Sequence, residues 1–283
     1  MQKKKSSRWT TVILIVILII GLSLLLYPTF SNWWNSMHQT RVIASYTEQV
    51  ADIDNDQYDA LWQEAWAYNE MLSQRGRQYE LTEEEALRYQ GLLNVGGTGI
   101  MGYVEIPAID VLLPIYHGTD EAVMQVAVGH LEWTSLPVGG EGSHCAISSH
   151  RGLPSARLFT DLDQLAEGDT FSLRILDEIL TYEIDQIRIV EPHQTEDLQV
   201  VAGMDYCTLV TCTPYGVNSH RLLVRGHRID TIITEEARVI RVTADAIQIE
   251  PYLVAPIVAA PMLLLLLIAL LIPKPRKNRR NEQ

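Results

Sequence analysis

The most informative segment of this chain is Thr208-Leu-Val-Thr-Cys212-Thr-Pro-Tyr-Gly-Val-Asn-Ser-His-Arg221-Leu-Leu-Val-Arg225. Two apolar runs of β-type flank a short turn that contains Pro and Gly. Cys212 ends the first run and Arg221 opens the second, so pairing as a hairpin would return the arginine to the sulfur. A thiol at a strand end is held rigidly yet reachable, and an arginine beside it can stabilise an oxyanion. The segment predicts a strand–turn–strand unit with a candidate cysteine nucleophile.

Other short β-type runs begin after Gly99 and are separated by Gly, Pro and Asp turns. In Phe171-Ser-Leu-Arg-Ile the apolar residues alternate with polar ones, as a half-buried strand requires. Seven such runs over about 130 residues predict a single closed barrel or a sandwich. The runs are Gly102–Ile106, Val111–Ile115, Ala146–Ser149, Thr170–Leu176, Leu180–Val190, Tyr206–Cys212 and Arg221–Ile229. A last alternating stretch, Arg238–Ile249, follows them.

Residues 31–95, ahead of the β-type runs, have a helical pattern. Apolar residues recur there at three- and four-residue spacing, which marks one face of a helix. Those residues are Tyr58, Leu61, Ala65, Tyr68 and Leu72. Thr82 followed by Glu85 is a capping-box signature that predicts a second helix through Leu93. A helical stalk that only packs on the next domain accounts for this region as well as any functional role does.

Two charge-free runs, residues 10–30 and 251–273, each suit the roughly 20 residues that a helix needs to cross a bilayer. Basic tails flank them at residues 1–9 and 274–283, which predicts that both termini are cytoplasmic and the middle is outside. A cleaved signal peptide is the alternative for the first run, but no small-x-small site follows it. A wall-sorting signal is the alternative for the second, but no LPxTG-like pentapeptide precedes it.

The charge distribution excludes several classes of protein. The net charge is −13 at pH 7, and residues 9–273 carry 34 acidic residues against 13 arginines and no lysine. This argues against a nucleic-acid protein, whose phosphate contacts need clustered lysine and arginine. Three cysteines without a CxxC pair argue against a disulfide scaffold and a zinc module. We therefore expect no metal site and no cofactor.

The sequence positions of the cysteines indicate their roles more clearly than those of the histidines do. Cys145 and Cys207 lie inside apolar runs, where a free cysteine normally behaves as a small inert hydrophobe. Eight histidines are present, and pattern alone does not choose a catalytic base among them. His150 is one candidate, because it ends a strand-like run and precedes the loop residues Arg-Gly-Leu-Pro.

These motifs together resemble the sortase family of Gram-positive bacteria. The segment from Thr208 is similar to the TLxTC signature of that family, and its Thr-Pro-Tyr-Gly continuation resembles class C, the pilus-assembling branch. Gly142-Ser-His-Cys-Ala-Ile-Ser-Ser-His150-Arg-Gly-Leu-Pro resembles the segment of the catalytic histidine. Asn94-Val-Gly-Gly-Thr-Gly-Ile-Met-Gly-Tyr-Val-Glu-Ile-Pro resembles the first barrel strand. The resemblance covers about residues 90–230.

The resemblance implies a mainly β fold, a closed eight-stranded sortase-type barrel over residues 96–235. A helical region and possible lid at 31–95, a membrane-proximal segment at 236–250 and the two transmembrane helices would accompany it.

By position, the resemblance assigns Cys212 as nucleophile, His150 as general acid and base, and Arg221 as oxyanion donor, with Thr211 as a substrate contact. Class C enzymes commonly carry an Asp-Pro-aromatic lid motif, but residues 45–98 contain no proline. Tyr79 is the remaining candidate to plug the site.

The implied function is a membrane-anchored cysteine transpeptidase with an extracellular catalytic domain. It would cleave LPxTG-like sorting signals on secreted proteins and join the acyl group to a pilin lysine, with no nucleic-acid partner. Two alternatives stay open. One is a housekeeping sortase that attaches surface proteins to a cell-wall precursor, and the other is an inert membrane-tethered scaffold. A plain cysteine hydrolase is a further rival.

Overall fold

A computed structural model describes residues 6–74 and 81–231 of the 283-residue chain. The described residues belong to two compact units, of which the first holds those up to Phe30 and the second those from Ser31 onward. Several sequence-based predictions lie outside the described residues. These are Tyr79, the strand-like stretch Arg238–Ile249, the membrane-proximal segment 236–250, the second anchor 251–273 and the basic tail 274–283.

The first predicted anchor lies in a long helix, α1, which spans Ser6–Ala51. Among the described residues, α1 is the one helix long and apolar enough to cross a membrane, with a segment of mean hydropathy 2.7. Its apolar side chains include Leu24 and Leu25, which are 71% and 74% exposed. Exposed apolar side chains over such a length suit a lipid surrounding. This finding agrees with an anchor at residues 10–30.

Residues 31–95 are largely helical where they are described, as the sequence predicts. The end of α1 is followed by α2 (Asn55–Gln74) and α3 (Glu83–Gly91). The predicted capping box opens α3: the Glu85 N–H donates to Thr82 Oγ1, and the Thr82 N–H donates to Glu85 Oε2 at 2.8 Å. These bonds satisfy two backbone donors that a helix start leaves open. The helix ends at Gly91, two residues before the predicted Leu93.

The helices pack on the β-rich part of their unit through buried polar contacts. In α1, the Tyr46 hydroxyl donates to the Met101 carbonyl at 2.9 Å and accepts from the Leu176 N–H at 2.8 Å. In α2, the Asn69 amide donates to the Leu136 carbonyl at 3.2 Å. Buried polar groups need such partners, so these contacts fix where each helix lies.

Eight strands close into a barrel in the order β1-β2-β3-β4-β7-β8-β6-β5, so the barrel prediction is confirmed and the sandwich alternative is excluded. Seven of the strands correspond to the predicted runs. The eighth, β3, was missed because three residues show no periodicity. The strands are β1 Ile100–Ile106, β2 Val111–His117, β3 Val128–His130, β4 Ser143–Ser148, β5 Thr170–Ile175, β6 Glu178–Val190, β7 Asp205–Thr213 and β8 His220–Ile229.

The barrel interior follows from strand alternation. In β5, Phe171, Leu173 and Ile175 are buried while the residues between them are partly exposed, as the sequence predicts. Cys145 on β4 lies opposite Cys207 on the parallel strand β7, and both are buried free thiols. Their burial agrees with the prediction that they are part of the core.

Candidate active site

The β7–β8 hairpin pairs the two residues that the sequence singled out. The strands are antiparallel, and Cys212 is the register partner of Arg221. Cys212 is partly exposed, whereas the thiols of Cys145 and Cys207 are buried. The predicted hairpin is therefore confirmed, and its register pairs a partly exposed cysteine with an arginine at one end of the barrel. Their catalytic roles stay predictions.

The loop between these strands holds the Arg221 side chain. Its Nη1 donates to the carbonyl of Asn218 at 3.4 Å and to that of His220 at 3.2 Å. Within residues 6–74 and 81–231, its Nε and Nη2 make no hydrogen bond. Because guanidinium has five donors in a fixed plane, donors remain for an oxygen that gains negative charge.

His150 reaches the same end of the barrel through the parallel pairing of β4 with β7. The ladder pairs Ser148 with Val210. One residue on, the Ser149 N–H donates to the Val210 carbonyl at 3.1 Å. Extending this register by one further residue sets position 150 beside position 212. Three neighbouring strands, β4, β7 and β8, thus bring His150, Cys212 and Arg221 to one barrel end.

Thr211 lies beneath this group. Its side chain is 1% exposed, and its hydroxyl donates to the Ser149 carbonyl at 2.8 Å. That bond ties the end of β7 to the residue before His150. The geometry gives Thr211 a structural contact, and its predicted contact with substrate stays a prediction.

The structure adds a neighbour of His150 that the sequence did not indicate. Glu121 lies in a short helix, α4 (Glu121–Met124), with its Oε2 3.9 Å from His150 Nε2. The Glu121 side chain is 75% exposed, so water screens its charge and the pair stabilises the fold little. No sequence pattern connects an isolated glutamate with a histidine on another element.

His117, His130 and His144 are buried and hydrogen-bonded, which gives them structural roles. His130 lies against the Tyr89 hydroxyl at 2.9 Å and the Ser135 carbonyl at 2.8 Å. His117 contacts the carbonyls of Gly99 and Leu92, and burial lowers its pKa. Groups fixed and enclosed in this way have no access to a substrate, so His150 is the better candidate.

His144 gives a stability prediction. Burial lowers its pKa from the ordinary 6.5 to about 4, so the folded protein keeps it neutral where the unfolded chain binds a proton. Folding stability is therefore complete above about pH 6.5 and falls as the pH drops toward 4, by on the order of 3 kcal/mol from this group. Urea unfolding across this range should show a flatter pH dependence for His144→Gln than for the wild type.

The matched control for this prediction is His193→Gln, because the His193 side chain is 76% exposed. That variant should reproduce the wild-type pH dependence. An equally steep loss of stability in His144→Gln and the wild type would contradict the assignment to His144.

A cavity of about 1050 Å3 lies elsewhere in the second unit, lined by residues that include Trp62, Asp205 and Arg228. Asp205 starts β7 and lies roughly 24 Å along the strand from Cys212. None of the three candidate catalytic residues lines the cavity. The candidate active site is therefore identified by its residue types and not by the size of a cavity. Among the described residues, no three His, Cys, Asp or Glu side chains form a group that would hold a metal ion.

Comparisons with known proteins identify the family to which this chain belongs. Residues 104–229 match the Sortase domain family. Sortase C1 from Streptococcus agalactiae has a crystal structure with 50% identity and a TM-score of 0.66, covering 68% of this chain and 99% of that one. Sortase C from Streptococcus pneumoniae has 46% identity and a TM-score of 0.61, covering 68% and 97%.

A more distant relative is sortase D of Bacillus subtilis, with 30% identity over 131 residues. That match covers 45% of this chain and 63% of the relative, which is less than two thirds of its length. Sortases are cysteine transpeptidases, and a partly exposed cysteine paired with an arginine fits that chemistry. By the matched domain and the near-complete coverage of sortases with solved structures, this chain belongs to the sortase family, and its structural neighbours are class C sortases.

Proposed function

We propose that this protein cleaves an LPxTG-like sorting signal and joins the resulting acyl group to a lysine amine of a pilin. The observation that carries the proposal is that β4, β7 and β8 are neighbours in the barrel, that Cys212 is the register partner of Arg221, and that His150 follows the end of β4 by two residues. A nucleophile, a proton carrier and an oxyanion donor are the parts that acyl transfer through a thioester requires.

In the first half-reaction His150 takes the proton of the Cys212 thiol, and the resulting thiolate attacks the threonine carbonyl carbon of the sorting signal. The carbonyl oxygen gains negative charge, and the free donors of Arg221 stabilise it. The carbon–nitrogen bond then breaks, and His150 supplies the proton that the leaving amine takes. The products are a thioester on Cys212 and the released carboxyl-terminal fragment.

In the second half-reaction a lysine amine attacks the thioester carbon. His150 accepts the proton that the amine loses, and the sulfur leaves as the Cys212 thiolate. An isopeptide bond forms and the enzyme returns to its starting state. The net reaction exchanges one amide for another and consumes no oxidant or reductant.

The neighbours and the sequence support this reaction. The structure of sortase C from Streptococcus pneumoniae gave insight into pilin substrate specificity, which supports a pilin as partner, and sortase C from Clostridium perfringens was solved with a C-terminal cell wall sorting motif, which supports a sorting signal as donor. Residues 9–273 of this chain contain no lysine, so the enzyme presents no lysine amine of its own near the thioester. The housekeeping alternative differs only in the acceptor.

We further propose that the barrel lies on the outer side of the membrane, held by α1 and by the second transmembrane helix that the sequence predicts at residues 251–273, with both termini in the cytoplasm. The apolar length of α1 and the basic residues at the two ends of the chain support this topology.

The acceptor distinguishes the candidate functions. Full-length enzyme in detergent is incubated with a sorting peptide in three samples, which hold the peptide alone, the peptide with a lysine-bearing pilin fragment, and the peptide with a cell-wall precursor. The products are identified by mass spectrometry. We expect an isopeptide-linked product with the fragment and slow hydrolysis of the peptide alone. Hydrolysis at the same rate in all three samples would indicate a cysteine hydrolase, and transfer only to the precursor would indicate the housekeeping reaction.

A further inference from the structure

Two loops meet beside the candidate catalytic residues, and one arginine joins them. Arg151 directly follows His150, and its side chain is only 9% exposed. Its Nη1 donates to the hydroxyl of Thr213, the residue after Cys212, at 3.5 Å. Its Nη2 forms an ion pair with Asp163, which lies further along the loop that follows His150. One guanidinium group therefore contacts both the segment of the histidine and that of the cysteine.

The ring of Tyr215 completes this contact from the loop after β7. The Arg151 guanidinium carbon lies 5.9 Å from the ring centroid, within the range of a cation–π interaction. Gly152 lies under the same ring, where an added Cβ would be only 2.8 Å from Tyr215 Cε2. Gly152 also has a φ of +77°, a conformation that side chains disfavour. We call Arg151, Gly152, Asp163, Thr213 and Tyr215 the clasp.

The clasp acts where the regular sheet has ended. The β4–β7 ladder reaches Ser148 and Val210, with one more backbone hydrogen bond at Ser149. Among the described residues, no backbone hydrogen bond joins residues 150–164, after the end of β4, to residues 211–219. Side-chain contacts link these two segments beyond the ladder, and they include the bond from the Thr211 hydroxyl to Ser149 and the contacts of the clasp.

The energies of these contacts favour positioning over stability. A long hydrogen bond and a cation–π contact to a ring that is 60% exposed contribute about 1 kcal/mol each at most. The ion pair of Arg151 with Asp163 adds about the same, because the Asp163 side chain is 48% exposed and water screens the pair. A shift of about 1 Å between reacting groups, in contrast, can slow a reaction about 100-fold. A weak contact that sets a distance can therefore matter far more to rate than to folding.

We propose that Arg151 is a positioning residue that holds His150 at its working distance from Cys212, through the clasp. This inference rests on the proposed transpeptidase function. It also accounts for two sequence features that the catalytic roles leave unexplained, the Arg-Gly pair after His150 and the Pro-Tyr pair after Thr213.

The test compares Arg151→Ala with Arg157→Ala in the full-length enzyme. Arg157 lies in the same loop and forms an ion pair with Asp161, but its side chain is 50% exposed and it is not part of the clasp. For thioester formation with a sorting peptide, we expect Arg151→Ala to lower kcat about 10- to 100-fold with KM changed less than about twofold. Arg157→Ala should keep both constants.

Two further measurements separate positioning from loss of folded enzyme. Titration of the Cys212 thiol counts intact sites, so kcat is expressed per reactive thiol. Arg151→Lys should recover only part of the rate, because lysine keeps the charge beside Asp163 but lacks the planar fork that reaches Thr213 as well. A kcat for Arg151→Ala equal to that of Arg157→Ala, or a loss that disappears per reactive thiol, would overturn the clasp.

Failure of the proposed function gives a different result. If the wild-type enzyme forms no thioester with any sorting peptide, the proposed function is wrong. The rate at which iodoacetamide alkylates Cys212 then tests the clasp. Arg151→Ala should slow alkylation several-fold at neutral pH relative to Arg157→Ala, because a displaced His150 takes the proton of the Cys212 thiol less readily. Equal rates at neutral pH would overturn the clasp independently of the enzyme's substrate.

Discussion

Replacing Cys212 with alanine is expected to abolish thioester formation, with a loss of at least about 10⁴-fold in rate. The thiol supplies the electron pair of the new bond, and no other group at this end of the barrel replaces it. The remaining thiols, Cys145 and Cys207, are buried in the core. Mass spectrometry of the enzyme after incubation with a sorting peptide should show the acyl adduct in the wild type and none in the variant.

The buried cysteines provide the controls. Cys145→Ala and Cys207→Ala each remove one buried sulfur, so we expect a loss of about 1–2 kcal/mol in the free energy of unfolding and no change in rate per folded molecule. Polymer formation that continues in Cys212→Ala would contradict the enzymatic assignment and favour the inert scaffold.

The pairing of Cys212 with Arg221 could be predicted from the sequence because it is local. A short turn separates the two strands, and an antiparallel hairpin then sets the partner of each residue. The apolar runs on both sides made the strands recognisable. The loop carbonyls that hold the Arg221 guanidinium were not predictable, since they depend on how the turn folds.

The place of His150 could not be worked out in the same way. The parallel pairing of β4 with β7 brings its segment beside that of Cys212, and the bond from Thr211 to Ser149 joins residues 62 apart. Parallel strands need a long crossover, so no local spacing reveals their register. Its place at a strand end made His150 one candidate among eight histidines, and only the resemblance to a known family singled it out. The contacts of Arg151 with Thr213 and of Glu121 with His150 were not predictable either, because they also join segments that are far apart in the sequence.

The residues at which helices begin and end also depend partly on local sequence and partly on tertiary packing. The capping box placed the start of α3 because its hydrogen bonds join residues three apart. The charge-free run ends at Phe30, yet α1 continues to Ala51. There the helix gains from packing, since Ile43, Tyr46 and Val50 are buried. Tertiary packing of this kind leaves only a weak trace in the sequence.

His150→Ala is expected to slow thioester formation by about 10²- to 10⁴-fold while leaving the fold intact. The imidazole is partly exposed at the end of β4, and its contact with Glu121 is a weak surface pair, so its removal leaves no buried group without a partner. The reaction loses the proton that the leaving amine needs. A substrate whose leaving group needs no proton should therefore recover much of the rate. Single-turnover rates with an amide peptide and a matched thioester substrate measure this difference.

The control is His220→Gln, which changes a histidine at the same end of the barrel. His220 pairs with Thr213 in the β7–β8 register, and its Nδ1 lies 2.8 Å from the Ser219 hydroxyl. Neighbouring residues on a strand face opposite ways, so His220 points away from the side of Arg221. We expect this variant to keep both rates. Equal losses with the two substrates in His150→Ala would mean that the imidazole does not transfer a proton to the leaving group. Loss of amide cleavage in His220→Gln but not in His150→Ala would instead assign the proton transfer to His220 on β8, the residue that pairs with Thr213.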